Sequence, residues 1–174
     1  MNREERYRIK KHIVDACVQA ASRKGCSDAA GVLHGTLFFA EEPMSLDELA
    51  EETGYSKSTV SSNMSTLEHL GLAKRIITPG DKRYRYLPET DHDAMRSSML
   101  NNVKEEVHLL LVALEATEKE LLETSSDPKD VARILRLKEF YLKTRELLDL
   151  VLRYSTEELI DLLRPKDSPP PKAP

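Results

Sequence analysis

The chain has no tryptophan, and aromatic residues make up only 5% of it, with three Phe and six Tyr. What remains is charged and Leu-rich, which fits a helical protein better than a sheet enzyme. Catalytic signatures are also missing. No glycine-rich loop follows a strand-like run, no serine sits in a nucleophile elbow, and no paired metal motif occurs. The carboxylates Asp47, Glu48, Glu51 and Glu52 read as the solvated face of a short helix, so no catalytic residue is assigned. Cysteine is scarce. Cys17 and Cys26 lack the clustered ligands of a structural zinc site and read as free buried thiols, with a redox switch the less favoured alternative. His12, His34, His69, His92 and His108 are scattered and pair with no carboxylate set, so neither a metal nor a cofactor is expected. There is no signal peptide and no apolar run long enough to span a bilayer, which points to the cytoplasm and to no membrane partner.

The formal net charge is -4, which argues against a generic polyanion binder. Local sign differs from total sign. Between Tyr55 and Leu87 six basic residues (Lys57, Lys74, Arg75, Lys82, Arg83 and Arg85) face two acidic ones, Glu68 and Asp81. Arg3, Arg6, Arg8, Lys10 and Lys11 outnumber Glu4 and Glu5 at the N-terminus. A phosphate backbone responds to the nearby face rather than to the sum.

At 174 residues the chain can bury one core and carry a helical appendage. Helical periodicity places a first helix over about 4–22 and a second over 28–40, closed by Glu41-Glu42-Pro43. Ser45 and Glu48 form a capping box for a two-turn helix that stops at Gly54. Ser56 caps the next helix, where Val60, Met64 and Leu67 should face inward. Two short strand-like runs, 73–78 and 83–87, flank the turn signal Pro79-Gly80-Asp81-Lys82. In the second run Tyr84 and Tyr86 alternate with Arg83 and Arg85. This order of elements is a winged helix-turn-helix, which usually lays its second helix in the DNA major groove.

After Asp91 an apolar repeat from Met95 to Leu122 predicts a long helix that needs a partner along its length, and a second subunit supplies one economically. Asp127-Pro128 opens another helix, Ser155 with Glu158 caps a short one, and the Pro-rich tail should be disordered. The fold expected is mainly α, an α+β winged helix with dimerisation helices at both ends. Its divisions are 1–27 (N-terminal helix), 28–88 (DNA-binding domain), 89–164 (dimerisation region) and 165–174 (tail).

The candidate reading helix presents Ser56, Lys57, Ser58, Ser61, Ser62 and Ser65, with Thr59 and Asn63 at its borders. Small hydroxyls let a helix approach the groove, and their oxygens can meet phosphates or base edges. A helix N-terminus with Lys57 beside it suits a phosphate. Asn63 is the best single candidate for a base contact, because an amide can pair bidentately with adenine. No arginine lies on this helix, so specificity is modest or carried by DNA shape. Lys82, Arg83 and Arg85 of the wing can reach phosphates or a narrow minor groove, and Lys74 and Arg75 lie over the backbone.

These residues carry a family resemblance. Gly31-Val32-Leu33-His34-Gly35-Thr36-Leu37-Phe38, Pro43-Met44-Ser45-Leu46-Asp47-Glu48-Leu49-Ala50 and Gly54-Tyr55-Ser56-Lys57 with Val60-Ser61 resemble the GbsR branch of the MarR-type winged-helix regulators. Asn63, Leu67, Leu70-Gly71-Leu72 and Gly80-Asp81-Lys82-Arg83 continue the pattern. The resemblance implies a homodimer with interlocked terminal helices that reads a near-palindromic duplex operator, usually as a repressor. It also leaves room for a small-molecule effector, which in some relatives is an osmoprotectant precursor such as choline. A choline-like cation wants an aromatic cage. Only Tyr7, Phe140, Tyr141 and Tyr154 are free for one here, and packing is the better reading of each, so no effector is named. The competing functions are a winged-helix protein-interaction module and a non-specific architectural DNA-binding protein.

Overall fold

A computed structural model describes residues 3–77, 83–124 and 127–165. The turn residues Pro79-Gly80-Asp81-Lys82 and the tail from residue 166 lie outside them. The chain divides into two compact units, Met1–Ser98 and Met99–Pro174.

The first unit opens with α1 (Arg3–Arg23) and α2 (Asp28–Leu37), its most extensively packed pair of helices. Ser27 caps α2 by accepting from the Ala30 amide. The two helices approach so closely because α2 carries Gly31 and Gly35 one turn apart, facing α1. A Cβ on Gly35 would lie 2.8 Å from Val14 Cα, and one on Gly31 would collide with the Val18 backbone. α2 ends at Leu37, three residues earlier than the apolar pattern suggests. Phe38 caps it and is exposed.

Ser45 and Glu48 form the expected capping box at the start of α3 (Leu46–Thr53). Gly54 closes α3 at φ 74°, a left-handed conformation in which a Cβ would be strained. After the turn, Ser56 caps α4 (Lys57–His69). Val60, Met64 and Leu67 are buried as the i, i+4, i+7 spacing predicts. They join Ala30, Leu33, Leu37 and Leu49 in the core.

Met44–Ser45 forms a strand, β1, that the sequence did not announce: two residues after a proline carry no alternation to detect. β2 (Ala73–Ile77) and β3 (Tyr84–Pro88) pair antiparallel, and β1 adds to the other side of β3, giving the order β1-β3-β2. The register sets Ser45 opposite Arg85 and Met44 opposite Tyr86. Tyr84 and Tyr86 share a face, but only Tyr86 reaches the core. Tyr84 lies nearer the wing tip, where the Arg75 guanidinium sits 4.4 Å from its ring centre.

α5 (His92–Glu123) begins in the first unit and continues into the second, which also holds α6 (Pro128–Val151) and α7 (Thr156–Leu163). Asp127 and Pro128 start α6 and the Ser155–Glu158 box starts α7, as expected from the sequence. The buried cluster of the second unit consists of Val107, Leu111 and Leu148, with Leu100, Tyr141 and Leu142 packed on it. Lys138 and Glu118 pair at 2.7 Å, and Lys104 pairs with Asp149.

Candidate nucleic-acid interface

The face of α4 opposite Val60, Met64 and Leu67 is open. Ser56, Lys57, Ser58, Ser61, Ser62 and Ser65 are all exposed, and Thr59 is half-buried. The first turn has its own hydroxyl cluster. Ser56 Oγ accepts from the Thr59 amide and lies 2.9 Å from Ser58 Oγ and 2.8 Å from Thr59 Oγ1. Ser62 Oγ donates back to the Thr59 carbonyl at 3.2 Å. Ser61 and Ser65, four residues apart, stand on one exposed stripe. No side chain on this stripe is bulky, so a duplex could approach the helix backbone.

Asn63 is a correction. Its amide does not point outward with the serines. The Ser27 hydroxyl donates to Asn63 Oδ1 at 2.5 Å, and Asn63 Nδ2 donates to the Thr59 carbonyl at 2.8 Å. The side chain is half-buried and ties α4 to the cap of α2. One bond on each amide atom fixes the side chain's orientation toward Ser27 and Thr59, so an adenine would have to draw it away from both.

The cations around this face are held by carboxylates. Lys57 Nζ lies 2.8 Å from Asp47 Oδ1, with both side chains more than half exposed. Arg75 Nε reaches Glu68 at 3.3 Å, and Lys74 reaches Glu89 at 3.4 Å. Arg83 is exposed, and Lys82 falls outside the described residues. Arg85 departs from the expected wing contact. Its Nη1 donates to the Pro43 carbonyl at 2.8 Å and to Glu48 Oε2 at 3.1 Å, which pins β3 to the start of α3. The sequence gives no sign of that pairing, because the partners lie 42 and 37 residues away.

Two of these carboxylates are held ionised. The Ser45 backbone amide, then the Ser45 hydroxyl and Arg85, keep Glu48 below the usual carboxylate range. The backbone amide of Asp91, with Lys74 nearby, does the same for Glu89. Ion pairs this exposed contribute about 0–1 kcal/mol each. A phosphate can therefore displace the carboxylate from Lys57 at small cost, and from Arg75 and Lys74 at a larger one, because Glu68 and Glu89 are only 26% and 13% exposed. Arg85 is the exception, since leaving would also forfeit its carbonyl bond.

Comparison with known proteins agrees with this geometry. The IclR helix-turn-helix domain matches residues 38–76, the stretch that holds β1, α3, the turn, α4 and most of β2. The HTH-type transcriptional repressor GbsR of Bacillus subtilis (strain 168) is 28% identical over 79 residues, which are 45% of this chain and 43% of GbsR. The first unit carries a winged helix-turn-helix whose stretch 38–76 is similar to the IclR helix-turn-helix domain. The MarR-type resemblance is only approximate, since the domain family matched is IclR. A crystal structure of a transcriptional regulator superposes with a TM-score of 0.65 at 21% identity, covering 82% of this chain and 95% of that one. That likeness establishes the fold. A MepR mutant of S. aureus bound to an oligodeoxyribonucleotide is more distant, with a TM-score of 0.39 at 14% identity over 83% of this chain and 99% of its own. The chain spans less than half the length of the curated relative it matches.

Proposed function

We propose that this GbsR-like protein is a dimeric transcriptional repressor that acts by binding duplex DNA at near-palindromic sites, and not by catalysis. The observation that carries the reading is the exposed hydroxyl stripe of α4, set in a winged helix-turn-helix and bordered by exchangeable cations. Serine and threonine are mediocre helix formers, so five hydroxyl residues from Ser58 to Ser65 add nothing to a merely solvated helix. In this reading Lys57 and the α4 N-terminus take a phosphate, Ser61 and Ser65 lie closest to the base edges, and Arg83 and Lys82 reach the backbone beside the wing. Lys74 and Arg75 exchange their carboxylates for phosphates. The second unit holds two copies together. No helix among the described residues is long and apolar enough to cross a membrane, and the site of action proposed is the cytoplasm.

A protein-interaction role for the same fold has two observations in its favour, the carboxylates that pair the cations and the lack of arginine on α4. Selection of bound duplexes from a random pool separates the readings. An enriched inverted repeat, bound with an affinity that falls steeply with salt as counterions are released, is the expected result. Lys57→Ala should weaken all sites alike and flatten that salt dependence. Salt-sensitive retention without any enriched motif would favour an architectural protein, and no retention at all would favour the protein-interaction role.

A further inference from the structure

Arg75 is held on two sides, by groups from two different elements. Its Nε lies 3.3 Å from Glu68 Oε1, near the C-terminal end of α4. Its guanidinium carbon lies 4.4 Å from the centre of the Tyr84 ring on β3. The strand register explains the stack. Arg75 stands opposite Tyr86 and Ile77 opposite Tyr84, so Arg75 and Tyr84 are diagonal neighbours on one face of the hairpin. Tyr86 fills the core at the base of that face, whereas Tyr84 is 46% exposed. A ring that exposed contributes little to a core, and its one aromatic contact is the cation. A guanidinium is planar and stays charged, so it can lie flat on a ring while its edges donate. Nε takes Glu68, and the two Nη groups have no partner among the described residues.

The place of this guanidinium gives the pose its use. It bridges α4, through Glu68, and the wing, through Tyr84. Under the DNA-binding reading, on which this inference rests, α4 enters the major groove and the wing the next minor groove. A phosphate backbone separates two adjacent grooves, so it crosses between α4 and the wing. Glu68 can hold Arg75 only until a phosphate replaces it, whereas the ring can hold it before and after. We propose that Tyr84 is a positioning residue for DNA binding: its ring keeps the Arg75 guanidinium flat at that crossing while a backbone phosphate takes the place of Glu68. An arginine without the ring would give up its side-chain freedom at the moment of binding, and the stacked one has already lost much of it.

Fluorescence anisotropy of the full chain with a labelled duplex of mixed sequence at low salt tests this, because a backbone contact acts on every sequence. Tyr84→Leu should weaken binding by at least about threefold, the worth of one exposed cation–ring stack. Tyr84→Phe keeps the ring and loses the hydroxyl, so it should bind within about twofold of wild type. Arg75→Gln should weaken binding further and flatten its salt dependence. Adding Tyr84→Leu to Arg75→Gln should then cost less than about a further 1.5-fold, since the ring has no cation left to hold. The urea midpoint of Tyr84→Leu should stay close to that of wild type, because Tyr84 lies outside the core. Unchanged binding by Tyr84→Leu overturns the proposal. So does a Tyr84→Phe variant as weak as Tyr84→Leu, which would put the hydroxyl itself on the DNA. An undiminished loss from Tyr84→Leu in the Arg75→Gln background would make the ring a plain packing group and also overturn it. A wild-type chain that binds no duplex would bring down the DNA-binding reading, and this inference with it.

Discussion

Among single residues, Asn63 is the one that ties α4 to the cap of α2. It falls on α4 where a reading residue belongs, yet its amide is spent on Ser27 and Thr59. Ser27 depends on the same contact, because its hydroxyl accepts from the Ala30 amide while donating to Asn63. Asn63→Ala should therefore cost about 1–2 kcal/mol of stability in urea unfolding, one or two hydrogen bonds' worth. It should leave the ranking of DNA sites intact in competition binding. Unchanged stability with a flattened ranking would return Asn63 to base reading. Arg85 teaches the same lesson. Alternation in β3 sorts Arg85 from Tyr86 correctly, but which face finds a carbonyl and a carboxylate depends on β1, which the pattern does not show. The exposure of Lys57 and the serines was legible because helix periodicity alone fixes it on α4 once Val60, Met64 and Leu67 are placed inside.

For the elements, start signals were the most readable features. Ser45–Glu48, Ser56, Asp127–Pro128 and Ser155–Glu158 each satisfy orphan helix amides locally, so three or four residues suffice to identify them. Close packing of α1 on α2 was not readable, since Gly31 and Gly35 look helix-breaking until α1 is seen lying across them. That crossing predicts an order of damage. Gly31→Ala drives a methyl into backbone atoms of Cys17 and Val18, which cannot swing aside, whereas Gly35→Ala meets Val14, whose side chain supplies part of the contact. Alanine gains roughly 1 kcal/mol of helix propensity over glycine. Overpacking of this kind costs typically 1–3 kcal/mol and more where backbone must move. Gly31→Ala should therefore be clearly destabilising, by at least about 2 kcal/mol, and Gly35→Ala milder, both as shifts in urea midpoint at constant slope. Equal stability of Gly31→Ala and wild type would mean that α1 does not lie on α2 this closely.

Taken as a whole molecule, the second unit is short of core and rich in exposed apolar surface. Only Val107, Leu111 and Leu148 are buried among its described residues, while Leu109, Leu122, Phe140, Leu147, Leu162 and Leu163 are 60–78% exposed. On α6, Leu137, Phe140 and Leu147 fall at intervals of three and seven residues, which puts them on one stripe. An apolar stripe of that spacing on an ordinary surface helix would be an aggregation liability, and burial against its symmetry mate removes it. The chain should sediment at about twice its 19.8 kDa mass at micromolar concentration. Leu147→Glu should split that dimer, because burying an unpaired carboxylate at the contact costs several kcal/mol. Leu147 is 61% exposed in the single chain, so each subunit should keep its fold and thermal transition apart from the concentration dependence. DNA then gives the second half of the test. Two winged units joined in one dimer bind an inverted repeat with an effective local concentration that two separate chains lack. Leu147→Glu should therefore lose affinity for the full repeat by at least about a hundredfold while binding an isolated half-site as wild type does. A wild-type chain that sediments as a monomer, or a Leu147→Glu variant that keeps the full-repeat affinity, would rule out this stripe as what joins the two reading units.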